Sequence, residues 1–175
     1  MGLNLSSVNK TYGFKKDGDE YKNNKEYFNR RISYGGYKFF RDDMVKFLTD
    51  NKLEKIEDFE IYFSNNYWYD DETFIIPMLE KDFTALDINN ENKKKWLNTL
   101  QKLKLDFPKL YDCFAWLHHC DCEGIMYPNQ LKPTISHLET FIKNMKEDYW
   151  AKDYAISLLE IFKSVIDNDG KLYFS

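Results

Sequence analysis

The sequence predicts an α+β fold: a single domain, residues 1–175, with four or five helices packed on a small, mostly antiparallel sheet that uses both termini. Three observations predict it. Apolar residues recur at steps of three and four in several separate stretches, the period of a helix with one buried face. Short alternating runs open the chain at Leu3 and Leu5 and close it at Leu172 to Phe174, the period of a strand. The length of 175 residues suits one domain with one sizeable core.

Taken in order, residues 1–9 read as a strand and residues 10–31 as a polar loop or weak hairpin around Gly13 and Gly18. Ser33-Tyr34-Gly35-Gly36-Tyr37 reads as a turn leading into a helix from Tyr37 to about Asn51. Its stripe is Tyr37, Phe40, Met44, Phe47 and Leu48. In residues 52–87, Phe59, Ile61 and Phe63 alternate, as do Phe74, Ile76 and Met78. Both runs suit strands, and Pro77 argues for an edge. The aromatic tip Asn65-Asn66-Tyr67-Trp68-Tyr69-Asp70-Asp71 between them suits either a binding surface or folding back over the core, and the second fits large aromatics better.

Residues 90–104 predict a helix with Trp96, Leu97, Leu100 and Leu103 inward and Lys93-Lys94-Lys95 on a solvated face. Pro108 starts a further helix, proline being tolerated in the first turn, with Leu110, Cys113, Phe114 and Leu117 as its buried stripe. Ile125-Met126-Tyr127 reads as a short strand. Pro133 opens a helix that buries Ile135, Leu138, Ile142 and Met145. The last helix, from about Asp148 to Asp167, buries Trp150, Tyr154, Leu158, Ile161 and Val165. Asn168-Asp169-Gly170 stops it before the closing strand.

Composition narrows the function classes. With 14 Phe, 13 Tyr and 4 Trp the chain is too aromatic for a disordered protein. A net charge of −4, with basic and acidic residues interleaved, does not favour nucleic acid. No secretory leader and no long apolar run is visible, so no membrane association is expected. Three cysteines, two of them one residue apart, are not a disulfide framework. A cytoplasmic, reducing setting follows as the expectation. Met1-Gly2 with Ser6 matches an N-myristoylation pattern, against which a buried first strand is the plainer reading.

The chemistry-bearing residues gather between Cys113 and Tyr127. Asp121-Cys122-Glu123-Gly124 echoes Asp167-Asn168-Asp169-Gly170: each pairs spaced acids with a glycine, then an extended run. This is half of a calcium loop, but the first ligand and the closing glutamate are missing from both. The structural reading is preferred: two helix-stop turns whose short strands pair with each other or with the first strand. Cys113, His118, His119, Cys120 and Cys122 are zinc donors by type, yet too crowded for two separated ligand pairs. A thiolate at Cys120 or Cys122 beside a histidine lacks a visible oxyanion motif. No metal and no cofactor is therefore expected.

Met1-Gly2-Leu3-Asn4-Leu5, Ser33-Tyr34-Gly35-Gly36-Tyr37 with Arg41 beyond it, and Asp121-Cys122-Glu123-Gly124 together resemble a group of small bacterial and phage proteins. Those proteins begin Met-Gly-Leu-Asp/Asn, carry Ser-Tyr-x-Gly-Tyr and Asp-Cys-Glu-Gly motifs, and have no established activity. The resemblance covers about half of the chain. Residues 52–105 do not match and read as a family-specific insertion, and Cys120 stands where the pattern has serine.

The resemblance and the residue chemistry together mark Tyr34, Gly36, Arg41, His118, His119, Asp121 and Glu123 as candidate ligand- or partner-binding positions. An Arg41 clamp on Asp121 and Glu123 is the structural version of the same cluster. The expected function is a non-enzymatic binding or regulatory module of bacterial or phage origin. It would act on a protein partner by direct contact, or by sequestering a ligand. The alternative is a small hydrolase or transferase that uses Asp121, Glu123 and His118 or His119, with or without a metal. No catalytic set is complete in the sequence.

Overall fold

The computed structural model describes residues 2–8, 29–55, 91–118 and 124–174. The chain divides into two compact units. One comprises Met1–Tyr37 with Cys120–Ser175, and the other is Lys38–His119.

In the first unit, β1 (Gly2–Val8), β2 (Asn29–Ser33), β3 (Gly124–Met126) and β4 (Lys171–Phe174) lie in the order β2-β1-β4-β3. Every pairing is antiparallel. Leu3 faces Ile32, Leu5 faces Phe174, and Ile125 faces Tyr173. The tail thus lies between the first strand and the short run after Gly124, the neighbour relation that the two acidic-glycine turns suggested.

The helices are α1 (Tyr34–Leu48), α2 (Glu91–Asp106), α3 (Pro108–Asp112), α4 (Phe114–His118), α5 (Pro128–Leu131), α6 (Ile135–Asn144) and α7 (Lys152–Asp167). A single 3-10 turn, Lys132–Thr134, joins α5 to α6. This overturns the expected α+β class, in which helices pack on a sheet. The described residues are mostly helical, and the strands are only seven, five, three and four residues long. They make a narrow ribbon, and α7 is the described helix that packs along it. Short alternating runs weigh as much as long helices when elements are counted. The two strands expected at Phe59–Phe63 and Phe74–Met78 lie outside the described residues.

Helix α1 starts three residues before the expected position. Ser33 caps it, its Oγ accepting from the Gly36 N–H at 3.0 Å. The helix buries Tyr37, Phe40, Met44, Val45 and Leu48. It stops where Asp50 and Asn51 take the left-handed conformation at φ 53° and 62°, which short polar side chains tolerate. The Asn51 N–H closes on the Lys46 carbonyl at 2.8 Å, and the Thr49 hydroxyl on that of Val45 at 2.8 Å.

In the second unit α2 buries Leu100 and Leu103, α3 buries Leu110, and α4 buries Trp116 and Leu117. The ring of Trp116 meets that of Phe40 at 6.0 Å. Pro108 opens α3 as expected, and Cys113, fully buried, ends it as a small apolar residue.

In the first unit, Gln130 staples the start of α5 by accepting from the Tyr127 N–H at 2.8 Å. Helix α7 buries Ala155, Leu158, Ile161, Phe162 and Val165. A 2.6 Å ion pair from Lys163 to Glu139 ties α7 to α6. Asp169, at φ 48°, ends α7, and the Gly170 N–H returns to the Val165 carbonyl at 2.8 Å.

Candidate functional site

Of the seven candidate positions, three (His119, Asp121 and Glu123) lie outside the described residues. Tyr34 and Gly36 stand in the first turn of α1, within the first unit. Arg41, two turns along the same helix, belongs to the second unit. His118 is the last residue of α4, also in the second unit.

The structure brings two of these places together. Nη1 of Arg41 donates to the carbonyl oxygen of Leu117 at 3.0 Å. Leu117 immediately precedes His118, so the arginine grips the chain where it enters the Cys/His/acidic stretch. The last carbonyls of a helix have no partner within it, and a guanidinium is a fitting donor for them. The expected clamp had carboxylates as acceptor. Those carboxylates, Asp121 and Glu123, lie outside the described residues, and the bond to Leu117 is a further contact of the same guanidinium.

Gly36 has a structural reason of its own. A Cβ there would lie 2.9 Å from the Ser33 hydroxyl and 3.1 Å from Cγ1 of Ile32. Its role is to let the capping serine close on the first turn. Gly35 has nothing within 4 Å of the same added atom. Among the described residues no three His, Cys, Asp or Glu side chains converge as a metal site would require.

The sequence reading missed a second place. Trp150, expected on the buried stripe of the last helix, is 57% exposed. The helix begins at Lys152, not Asp148. The residues before it form turns in which the Tyr149 N–H bonds to Lys146 O and the Lys152 N–H to Tyr149 O, both at 3.1 Å. Trp150 therefore stands off the helix. Its ring packs on Tyr149 at 5.8 Å, and Tyr149 meets the buried Phe141 edge-on at 6.3 Å. Across the turn, Lys152 and Glu147 form a 2.7 Å ion pair. That lysine, through its hydrogen bond and its charge, holds the Glu147 carboxyl below its ordinary value, against a small opposing effect of burial.

Among the described residues Phe39 and Leu105, both in the second unit, are also large exposed apolar side chains, at 64% and 83%, with Tyr127 and Ile156 less so. Among the described residues no helix is long and apolar enough to cross a membrane. No protein-family model matches the chain, and neither a curated protein nor a solved structure shows significant similarity to it.

Proposed function

We propose that the chain is a non-enzymatic binding module that acts by contact with another protein, with Trp150 as an anchor. The observation that carries this reading is a large aromatic side chain more than half exposed yet braced from behind by Tyr149 and Phe141. Tryptophan and tyrosine are enriched where protein interfaces concentrate their energy. A ring already held in place loses little freedom on binding, so more of its burial becomes affinity. The Glu147–Lys152 pair closes the turn that presents it. The bacterial or phage setting suggested by the resemblance in Met1–Leu5 and Ser33–Tyr37 belongs to the same proposal. The alternative, a hydrolase or transferase, is built on Asp121, Glu123 and His119, which lie outside the described residues, or on His118 at the end of α4.

The experiment compares the wild-type chain with Trp150→Ala in cross-linking and pull-down from its native host. We expect a partner retained by the wild type and lost, or weakened about tenfold or more, in the variant. Thermal unfolding should be nearly unchanged, because the ring is mostly exposed. Retention of the same partners at the same affinity by Trp150→Ala would defeat this reading.

A further inference from the structure

Helix α2 carries charge of the opposite sign to its chain. It holds five lysines against Glu91 and Asp106, a net of +3. The whole chain is −4, which leaves −7 for everything else. Leu100 and Leu103 of this helix are buried at 1% and 0%, while Leu105 is 83% exposed. Lys102 lies three residues before Leu105 and so shares its face of the helix. Lys102, Lys104 and, at the start of α3, Lys109 are all exposed. A lone exposed leucine means little. One set among lysines, in a chain that is otherwise acidic, has a definite complement.

We infer that this face docks an acidic amphipathic segment of a partner protein, its carboxylates against Lys102, with Lys109 of the following helix as a further exposed cation in reach of the segment's length, and an apolar side chain against Leu105. Three other occupants fit worse. A membrane-surface helix must offer its whole apolar face to lipid, and here that face is committed to the core at Leu100 and Leu103. A nucleic acid would gain the lysines, but its backbone has no use for Leu105, and the rest of the chain repels a polyanion. A second copy meeting this face about a two-fold axis would set Lys102 and Lys104 against their own copies. The inference goes beyond the Trp150 reading. Trp150 belongs to the other unit, so either proposal can fail while the other stands.

The test uses the full chain and labelled synthetic probes: an acidic Leu/Glu helical peptide, its Leu/Lys counterpart, phosphatidylglycerol vesicles and duplex DNA. We expect saturable binding of the acidic peptide alone. That binding should weaken several-fold when salt rises from about 50 to about 300 mM, as screening shortens the reach of the lysines. The double reversal Lys102→Glu/Lys109→Glu should weaken it about tenfold or more, and Leu105→Ala about fivefold. Trp150→Ala should bind the peptide as the wild type does. The substituted positions are exposed, and circular dichroism will confirm the fold of each variant. The inference is overturned if the acidic peptide does not saturate, if the reversal variant binds it equally, or if vesicles or DNA bind as tightly.

Discussion

Nη1 of Arg41 donates a 3.0 Å hydrogen bond to the carbonyl oxygen of Leu117, 76 residues further along the chain. One helix is thereby fixed to the end of another inside the second unit. Helix α4 is only five residues long, so it has few internal bonds to hold its own end. The Phe40–Trp116 ring contact, one residue before each partner, places the guanidinium for the task.

Arg41→Met should therefore lower stability by about 2 kcal/mol, the cost of losing a charge-assisted hydrogen bond to a part-buried carbonyl. Arg41→Lys should recover only part of this, because an ammonium lacks the reach and planarity of the fork. Urea denaturation checks it: the midpoint should fall with an unchanged slope. A midpoint within error of wild type for Arg41→Met would show that the bond does not hold the two helices.

The two glycines of the Ser33–Tyr37 turn should respond in opposite ways. At Gly35 an added methyl meets nothing within 4 Å, so Gly35→Ala should stabilise by about 0.5–1 kcal/mol through reduced chain entropy. At Gly36 the same methyl would lie 2.9 Å from the Ser33 hydroxyl. The serine must rotate away and give up a cap worth about 1 kcal/mol, cancelling or reversing the gain. Ser33→Ala should cost a similar amount. Thermal unfolding of the three variants side by side decides it, and equal shifts for both glycines would refute the capping account.

The stripes at Tyr37, Phe40 and Met44, and at Leu158, Ile161 and Val165, were legible because a period of 3.6 repeated over several turns has no other cheap explanation. All six are buried. That the short strands after the two acidic-glycine turns pair with each other or with the first strand was legible from the match between the turns, but their register was not. Trp150 was misjudged because it stands four residues before Tyr154 and so extends the stripe on paper. Spacing alone cannot say where a helix starts, and α7 starts after it. The bond from Arg41 to the Leu117 carbonyl was not legible either. Every residue carries a backbone carbonyl, so no side-chain pattern marks the one at Leu117. The fold class failed for a similar reason, since a strand of three residues and a helix of sixteen each counted as one element.

The stop of α7 makes a sharper test of local backbone chemistry. Asp169 takes φ 48°, while the glycine that follows supplies the N–H that returns to Val165. A β-branched residue in that left-handed conformation is strained, whereas asparagine tolerates it. Asp169→Val should cost about 1–2 kcal/mol and Asp169→Asn nearly nothing. Because β4 begins at Lys171, hydrogen exchange should also rise in that strand in the valine variant. Equal stability of the two variants would mean that the turn re-forms without a left-handed residue.

The last prediction concerns acid. Glu147 is held below its ordinary value of 4.5 by the hydrogen bond and charge of Lys152. A carboxyl whose folded value is depressed contributes its stabilisation above the unfolded value, and loses it as the pH falls through the folded one. The pair should therefore be fully formed at neutral pH and open in acid, as the pH falls through the lowered value and the carboxylate takes up its proton. Both ends of the 147–152 turn would then be released, and Trp150 with them. In NMR spectra the Lys152 amide and the Trp150 indole N–H should shift together over that acid range. Glu147→Gln should remove the shift at both positions while leaving neutral-pH stability almost unaltered, since an exposed pair contributes little. If the indole signal moved identically in Glu147→Gln, another group would have to hold the turn.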